Sequence, residues 1–206
     1  VSEARSARRA AGEFVLASMN PDKRRELQEL LGLPGVTLRS LDEFPHAAAP
    51  EEHGATLIEN ARIKAGAACA LTGLPAIADD TGLEVDALGG EPGVRAARFA
   101  GPDATDAQNC ALLLARLRGV PAERRTARFR CVMAARWPDG WEAVAEGVLE
   151  GRITEAPRGE QGFGYDPLFE AEGLGLTLAE LSPAEKNEIS HRARAARALG
   201  SRLAAG

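Results

Sequence analysis

The sequence predicts an α/β domain interrupted by a long β-hairpin, and three observations carry that prediction. Short apolar runs alternate with segments of helical spacing from Glu13 to Arg118. Three of the helical segments open on cap signals, Asn20-Pro21, Thr56-x-x-Glu59 and Ser182-Pro183-x-Glu185. From Thr126 the period falls to two, with Phe129, Cys131 and Met133 alternating against Arg128 and Arg130 up to a Pro138-Asp139-Gly140 turn.

Taken in order, residues 1–12 read as a mobile N-terminal tail. Arg5, Arg8 and Arg9 give it a basic look, but the apolar run behind them, Phe14 to Ala17, is only as long as a strand. Residues 13–206 read as a single domain. Glu13–Ala17 is a strand, and Pro21–Leu31 a helix with Leu27, Leu30 and Leu31 on one side, ending near Gly32. Val36–Ser40 is a second strand. A loop with His46 and Pro50 leads to a capped helix from Thr56 to Thr72, stopped by Gly73. Pro75–Asp79 reads as a buried strand closing in Asp79-Asp80. Residues 89–102 are a loop, and Asp106–Arg118 is a helix carrying Leu112, Leu113 and Leu117. Thr126–Trp137 and Trp141–Leu149 form the hairpin. Gly159–Gly164 is a glycine-rich loop, and Ser182 to Leu203 is mostly helical.

Composition narrows the functions. Hydrophobic residues at 45% and charged residues at 27% describe a globular chain. A net charge of −5 argues against a dedicated nucleic-acid binder while leaving room for a small anion. No apolar run approaches the ~20 residues of a membrane span. Cys69, Cys110 and Cys131 lie far apart without metal-ligand spacing, so a reducing cytoplasm is the default location. Phosphate-loop, dinucleotide, zinc-protease and nucleophile-elbow motifs do not occur.

Lysine usage is the first positive sign: among 25 basic residues only Lys23, Lys64 and Lys186 are lysines. A chain that otherwise uses arginine keeps lysine where a compact charge is wanted. Lys23 sits in the first turn of a helix, where the dipole disfavours a cation. A bound phosphate resolves that conflict, and on the dipole argument alone Lys23→Ala is neutral or slightly stabilising. Asp79-Asp80 and Glu51-Glu52 supply carboxylates, and with a phosphate site they suggest Mg²⁺. Neighbouring strand residues face opposite sides, so only one of Asp79 and Asp80 meets a ligand. Phe163 and Tyr165 stand in a glycine-flanked loop, where an aromatic either stacks on a planar base or plugs the core.

Ser18-x-Asn20-x-x-Lys23, Asp79-Asp80-Thr81-Gly82-Leu83, Gly162-Phe163-Gly164-Tyr165-Asp166-Pro167 and Glu185-Lys186-Asn187-x-x-Ser190-His191-Arg192 occur in that order. Together they resemble the inosine triphosphate pyrophosphatase family, the dITP/XTP diphosphatases, over about residues 13–203. Met19 stands where many members have glycine, and Thr81 replaces a common serine. The resemblance implies a mixed central sheet with flanking helices, in two lobes around a nucleotide cleft. It implies Mg²⁺-dependent hydrolysis of ITP, dITP and XTP to monophosphate and pyrophosphate, in a homodimer.

By the same resemblance Ser18, Met19, Asn20, Pro21, Asp22 and Lys23 form the triphosphate loop. Glu51 and Asp80 hold the metal, and Asp80 handles the water proton. Thr81 is a substrate contact, and Phe163, Gly164, Tyr165, Asp166, Lys186, His191 and Arg192 lie near base and sugar, with Arg192 or His191 suited to a 6-keto oxygen. Two rival readings stand beside this one: an enzyme for other modified nucleotides, and a non-catalytic nucleotide sensor, which would keep Lys23 and Phe163 but need not keep Asp80 with Glu51.

One expectation is geometric. In an unbroken helix His191 and Arg192 lie roughly 140° and 240° around the axis from Lys186, so all three cannot face one ligand. A break near Ser190, with Ser190 capping a second helix, reconciles them.

Overall fold

Phe14, Val15 and Leu16 form an unbroken buried run, the pattern of an interior parallel strand. In the computed structural model, which describes residues 12–31, 35–48, 50 and 52–205, this strand is β1 (Gly12–Leu16). It pairs in parallel with β2 (Val36–Ser40) and with β3 (Ala76–Val85). Helices α1 (Pro21–Leu30) and α2 (Leu57–Thr72) lie between these strands in the chain. Residues 1–11 of the expected tail lie outside the described residues, and Gly12 already belongs to β1, opposite Val36.

Four more strands complete a seven-stranded sheet: β4 (Pro92–Gly93), β5 (Thr126–Arg136), β6 (Glu142–Ile153) and β7 (Phe169–Ala171). The order is β2-β1-β3-β5-β6-β7, with β4 pairing β3. Parallel pairs at β1 and antiparallel pairs at β3–β4 and β6–β7 make the sheet mixed, as the resemblance implies. The hairpin turn is closed by the Trp137 amide donating to the Trp141 carbonyl at 3.0 Å. Helices α3 (Asp106–Arg116), α4 (Pro183–Ile189) and α5 (His191–Ala205) bring the α-helices among the described residues to five.

Two sequence expectations change here. β3 does not end at Asp79 but continues to Val85, because Leu83 and Val85 extend the buried pattern and Leu83 and Glu84 pair with β4. The aspartates therefore sit mid-strand. The 89–102 segment holds β4 and a short 3-10 turn at Ala96–Arg98. The break at Ser190 is present: this residue caps α4 in extended conformation (φ −61°, ψ 153°), and α5 starts at His191.

The chain, read from sequence as one domain, divides into two compact units. The first takes the described residues up to Asp80, Cys131–Gly147 and those from Arg192 onward; the second takes Thr81–Arg130 and Val148–His191. Each has its own core. In the first, Phe14, Leu16, Leu27, Ile77, Met133, Leu199 and Leu203 pack together, with Phe14 edge-on to Trp137 at 5.4 Å. In the second, Leu83, Val85, Leu113, Leu117, Phe129, Leu149 and Phe169 pack together, with the Phe129 and Phe169 rings 4.6 Å apart. Fully burying such side chains contributes about 1.5–3 kcal/mol each.

Candidate active site

In the first unit, the turn after β1 delivers Ser18, Met19 and Asn20 to the start of α1. Asn20 is the N-cap: its Oδ1 accepts from the amides of Asp22 (2.9 Å) and Lys23 (3.0 Å), and Pro21 is the first helical residue. The cap thus already occupies these two first-turn donors. Ser18 is buried, Met19 is exposed, and Asp22 pairs with Arg25.

The Lys23 ammonium lies 3.2 Å from Asp79 Oδ2, and Arg192 Nε lies 3.5 Å from the same oxygen. Arg192 is only 2% exposed, and its Nη1 donates to Glu26 of α1. The fork expected to face a keto base is thus directed here to two carboxylates. Burial by itself would raise the Asp79 pKa, but Lys23, Arg192 and Lys64 outweigh it and hold the carboxyl well below the usual range.

Asp80, the next residue of β3, uses different partners, as alternation along a strand requires. Its Oδ1 accepts from Lys64 Nζ at 2.9 Å and its Oδ2 from Asn60 Nδ2 at 3.2 Å. Lys64 also reaches Glu52 Oε1 at 3.2 Å. Burial raises the Asp80 pKa and is only partly offset by Lys64 and Lys23. For Lys64, burial lowers the pKa but Asp79, Asp80 and Glu52 raise it by more. The Asn60 side chain also accepts from the Gly54 amide at 2.8 Å, tying the loop before α2 to Asp80. Glu51 lies outside the described residues. Among the described residues, no group of three or more His, Cys, Asp or Glu side chains is placed to hold a metal by itself.

In the second unit, the 162–166 loop folds over Asp166. Asp166 Oδ2 accepts from the Phe163 amide at 2.9 Å and from Lys186 Nζ at 2.7 Å. Gly162 has φ +76°, and a Cβ there would meet Asp166 Oδ2 at 2.1 Å, so the position requires glycine. Lys186 also stands 4.8 Å from the centre of the Phe163 ring. The His191 ring stacks on Phe129 at 4.6 Å and 15°. Tyr165 belongs to the second core, its hydroxyl donating to the Ala96 carbonyl at 2.8 Å. The Gly164 amide donates to Asp106 at 2.7 Å, and Thr81 is half-buried in β3.

The structure thus joins Lys23, Asp79 and Arg192 in one network, sets Asp80 beside Lys64, Asn60 and Glu52, and joins Phe163, Asp166 and Lys186 in a third cluster. Sequence reasoning missed Glu26, Asn60 and Lys64 as site residues, and of the Glu51-Glu52 pair it carried only Glu51 into the metal set. A signal existed for two of them. The buried stripe of α2 runs Leu57, Asn60, Ala61, Lys64, Ala65, Ala68, Cys69, and Asn60 and Lys64 are polar residues on a face otherwise apolar. A pocket of about 650 Å³ lies elsewhere in this unit, between α2 and the hairpin end, lined by Arg62, Cys69, Trp137, Pro138 and Glu142 among others, and includes none of these residues.

A mixed α/β chain whose three lysines each pair with a buried aspartate has the build of an enzyme for a charged substrate. The chain belongs to the Ham1 family, whose model matches residues 14–202. It is 54% identical over 183 residues to a dITP/XTP pyrophosphatase of Geobacillus kaustophilus, covering 89% of this chain and 90% of that one. It is also 54% identical over 197 residues to the dITP/XTP pyrophosphatase of Methylococcus capsulatus, covering 94% and 96%. Among solved structures, a HAM1 protein from Coxiella burnetii superimposes with a TM-score of 0.85 at 43% identity, covering 94% of this chain and 99% of that one. A nucleoside-triphosphatase / dITP/XTP pyrophosphatase from Mycobacterium abscessus gives 0.75 at 47%, covering 91% and 98%. The family read from the four motifs is borne out.

Proposed function

We propose that this chain hydrolyses aberrant purine nucleoside triphosphates (ITP, dITP and XTP) to the monophosphate and pyrophosphate, clearing them from the nucleotide pool. The observation that carries the reading is Asp80: a buried carboxylate held by Asn60 and Lys64, with its pKa raised by burial. A base so placed accepts a proton from water as the water attacks the α-phosphorus. The oxygen–phosphorus bond to the β-phosphate breaks, and pyrophosphate departs with the negative charge. Asp79, held ionised by Lys23 and Arg192, is the poorer base and serves to hold those cations. Lys23 and the Ser18–Lys23 loop receive the triphosphate, exchanging part of the Lys23–Asp79 pair for phosphate oxygens.

Lys64 has Asp80 and Glu52 carboxylate oxygens at 2.9 and 3.2 Å, an oxygen-donor set that suits Mg²⁺ when substrate phosphates complete the shell. Asp80 and Glu52 would hold it, and Glu51 is the further ligand that the resemblance implies. Bound, Mg²⁺ offsets charge on the phosphate oxygens. Phe163 offers its ring to the base. Lys186, His191 and Thr81 supply polar contacts, and Arg192 reads a keto oxygen by exchanging one of its carboxylates for the base.

The protein acts in the cytoplasm as a homodimer with a nucleotide as its partner, and neither nucleic acid nor membrane is required. No helix among the described residues is long and apolar enough to cross a membrane. A pyrophosphate-release assay with ITP, XTP, GTP and ATP plus Mg²⁺ tests the activity. Release with ITP and XTP well above ATP supports it, and orthophosphate release or no turnover overturns it. Sedimentation velocity tests the dimer.

A further inference from the structure

The first turns of α3 carry polar side chains that the proposed reaction does not use. Asp106 and Cys110 are four residues apart and so lie on one helix face. Asp106 Oδ2 accepts the Gly164 amide at 2.7 Å, and Cys110 Sγ donates to the Gly164 carbonyl at 3.3 Å. Both polar groups of one peptide residue are therefore held by one face of one helix. Asn109, between them, accepts from the Ala100 amide (2.8 Å) and donates to the Ala97 carbonyl (3.1 Å). Tyr165 ties the same two loops together through the Ala96 carbonyl. Gly164 adopts φ +63°, which glycine takes without strain.

Phe163 therefore rides on a turn with two supports. One is Asp166, which accepts the Phe163 amide and is anchored by Lys186. The other is the α3 face. We infer that Asp106, assisted by Cys110, is a positioning residue that fixes the Gly164 peptide and thereby sets the Phe163 ring for stacking on the substrate base. The inference rests on the nucleotide reading given above. It assigns Asp106 no contact with substrate. Because a π-face is common to all bases, losing the clamp weakens every purine triphosphate alike, without changing base preference.

The test is steady-state kinetics on the full chain with ITP, for wild type, Asp106→Ala, Asp106→Asn, Phe163→Ala and the double variant Asp106→Ala/Phe163→Ala. Asp106→Ala is expected to raise KM about tenfold with kcat within about twofold, the pattern of lost uniform binding. Asp106→Asn retains most of the wild-type KM, because its amide oxygen still accepts the Gly164 N–H. In the Phe163→Ala background Asp106→Ala adds nothing further, which a general loss of folding would not reproduce. Should Asp106→Ala fail to fold, the Cys110→Ala and Cys110→Ser pair carries the same comparison, with about a threefold rise in KM for alanine and little for serine. A wild-type KM in Asp106→Ala, or an undiminished effect in the Phe163→Ala background, overturns the clamp while leaving the proposed activity standing. A wild-type protein inert toward every purine triphosphate overturns that activity and the clamp's role in it.

Discussion

Asp79→Asn removes one charge and almost no volume, so its effect isolates the buried network. Lys23 Nζ and Arg192 Nε lie 3.2 and 3.5 Å from the same oxygen of Asp79. At an effective dielectric of about 20, each contact is worth roughly 5 kcal/mol before desolvation. Burying the carboxylate costs several kcal/mol of that, but deleting its charge leaves two cations facing a neutral amide. Arg192 keeps Glu26, and Lys23 remains partly solvated, so the loss falls at the low end of the buried-pair range, about 3 kcal/mol. For a chain of this size that lowers Tm by about 6–12 °C.

The pH dependence has a definite sign. The Asp79 pKa is depressed in the folded state, so its contribution is complete above the ordinary carboxylate value of about 4 and drains away as pH falls through the folded value. Thermal unfolding of wild type and variant, followed by circular dichroism from pH 7 to pH 3, should show a gap in Tm that narrows below about pH 4. Equal Tm values at pH 7, or a gap that does not change with pH, would refute this account of the network.

Asp80→Asn should lower kcat by roughly 10²–10⁴ while nucleotide binding, measured by calorimetry, survives; near-normal turnover would move the base elsewhere. Lys23→Ala should raise KM for ITP about tenfold or more. It should also lower stability by about 1–3 kcal/mol in denaturant unfolding, since it strips a partner from buried Asp79. That reverses the neutral or stabilising effect expected from the helix dipole alone. Gly162→Ala forces a side chain onto φ +76° and against Asp166, and should weaken nucleotide binding at least tenfold; an unperturbed KM would count against the Asp166 turn.

What the sequence discloses depends on the range of the interaction that decides each feature. Caps are decided within four residues, so Asn20, Thr56 and Ser182 mark their helices correctly, and the Ser190 break follows from counting turns between Lys186 and Arg192 once the family resemblance brings both to one ligand. β4 and β7 are two and three residues long, too short for any period to register. The two-unit division left no linker to read because β3, β5 and β6 themselves carry the chain from one unit into the other. That continuity also hid the end of β3, since Asp79-Asp80 looks like a strand terminus until Leu83 and Val85 are seen to be buried behind it.

The lysines show how far composition alone reaches into the site. Arginines make the peripheral pairs: Arg39 with Glu13 and Glu43, Arg116 with Glu91, Arg128 with Asp86 and Glu150. Such pairs contribute little individually, and a rigid fork suits them. Each lysine instead meets an aspartate in a protected setting: Lys23 with Asp79, Lys64 with Asp80, Lys186 with Asp166. An ammonium on a flexible stem can turn from its carboxylate to a phosphate oxygen, whereas a planar guanidinium makes directional contacts that suit a fixed partner. Scarcity of lysine in an arginine-rich chain is thus a physical marker, because the residue is kept where a charge must be both buried and transferable. Read that way, Lys64 was as visible in the sequence as Lys23, and pairing it with Asn60 one turn earlier would have pointed to Asp80.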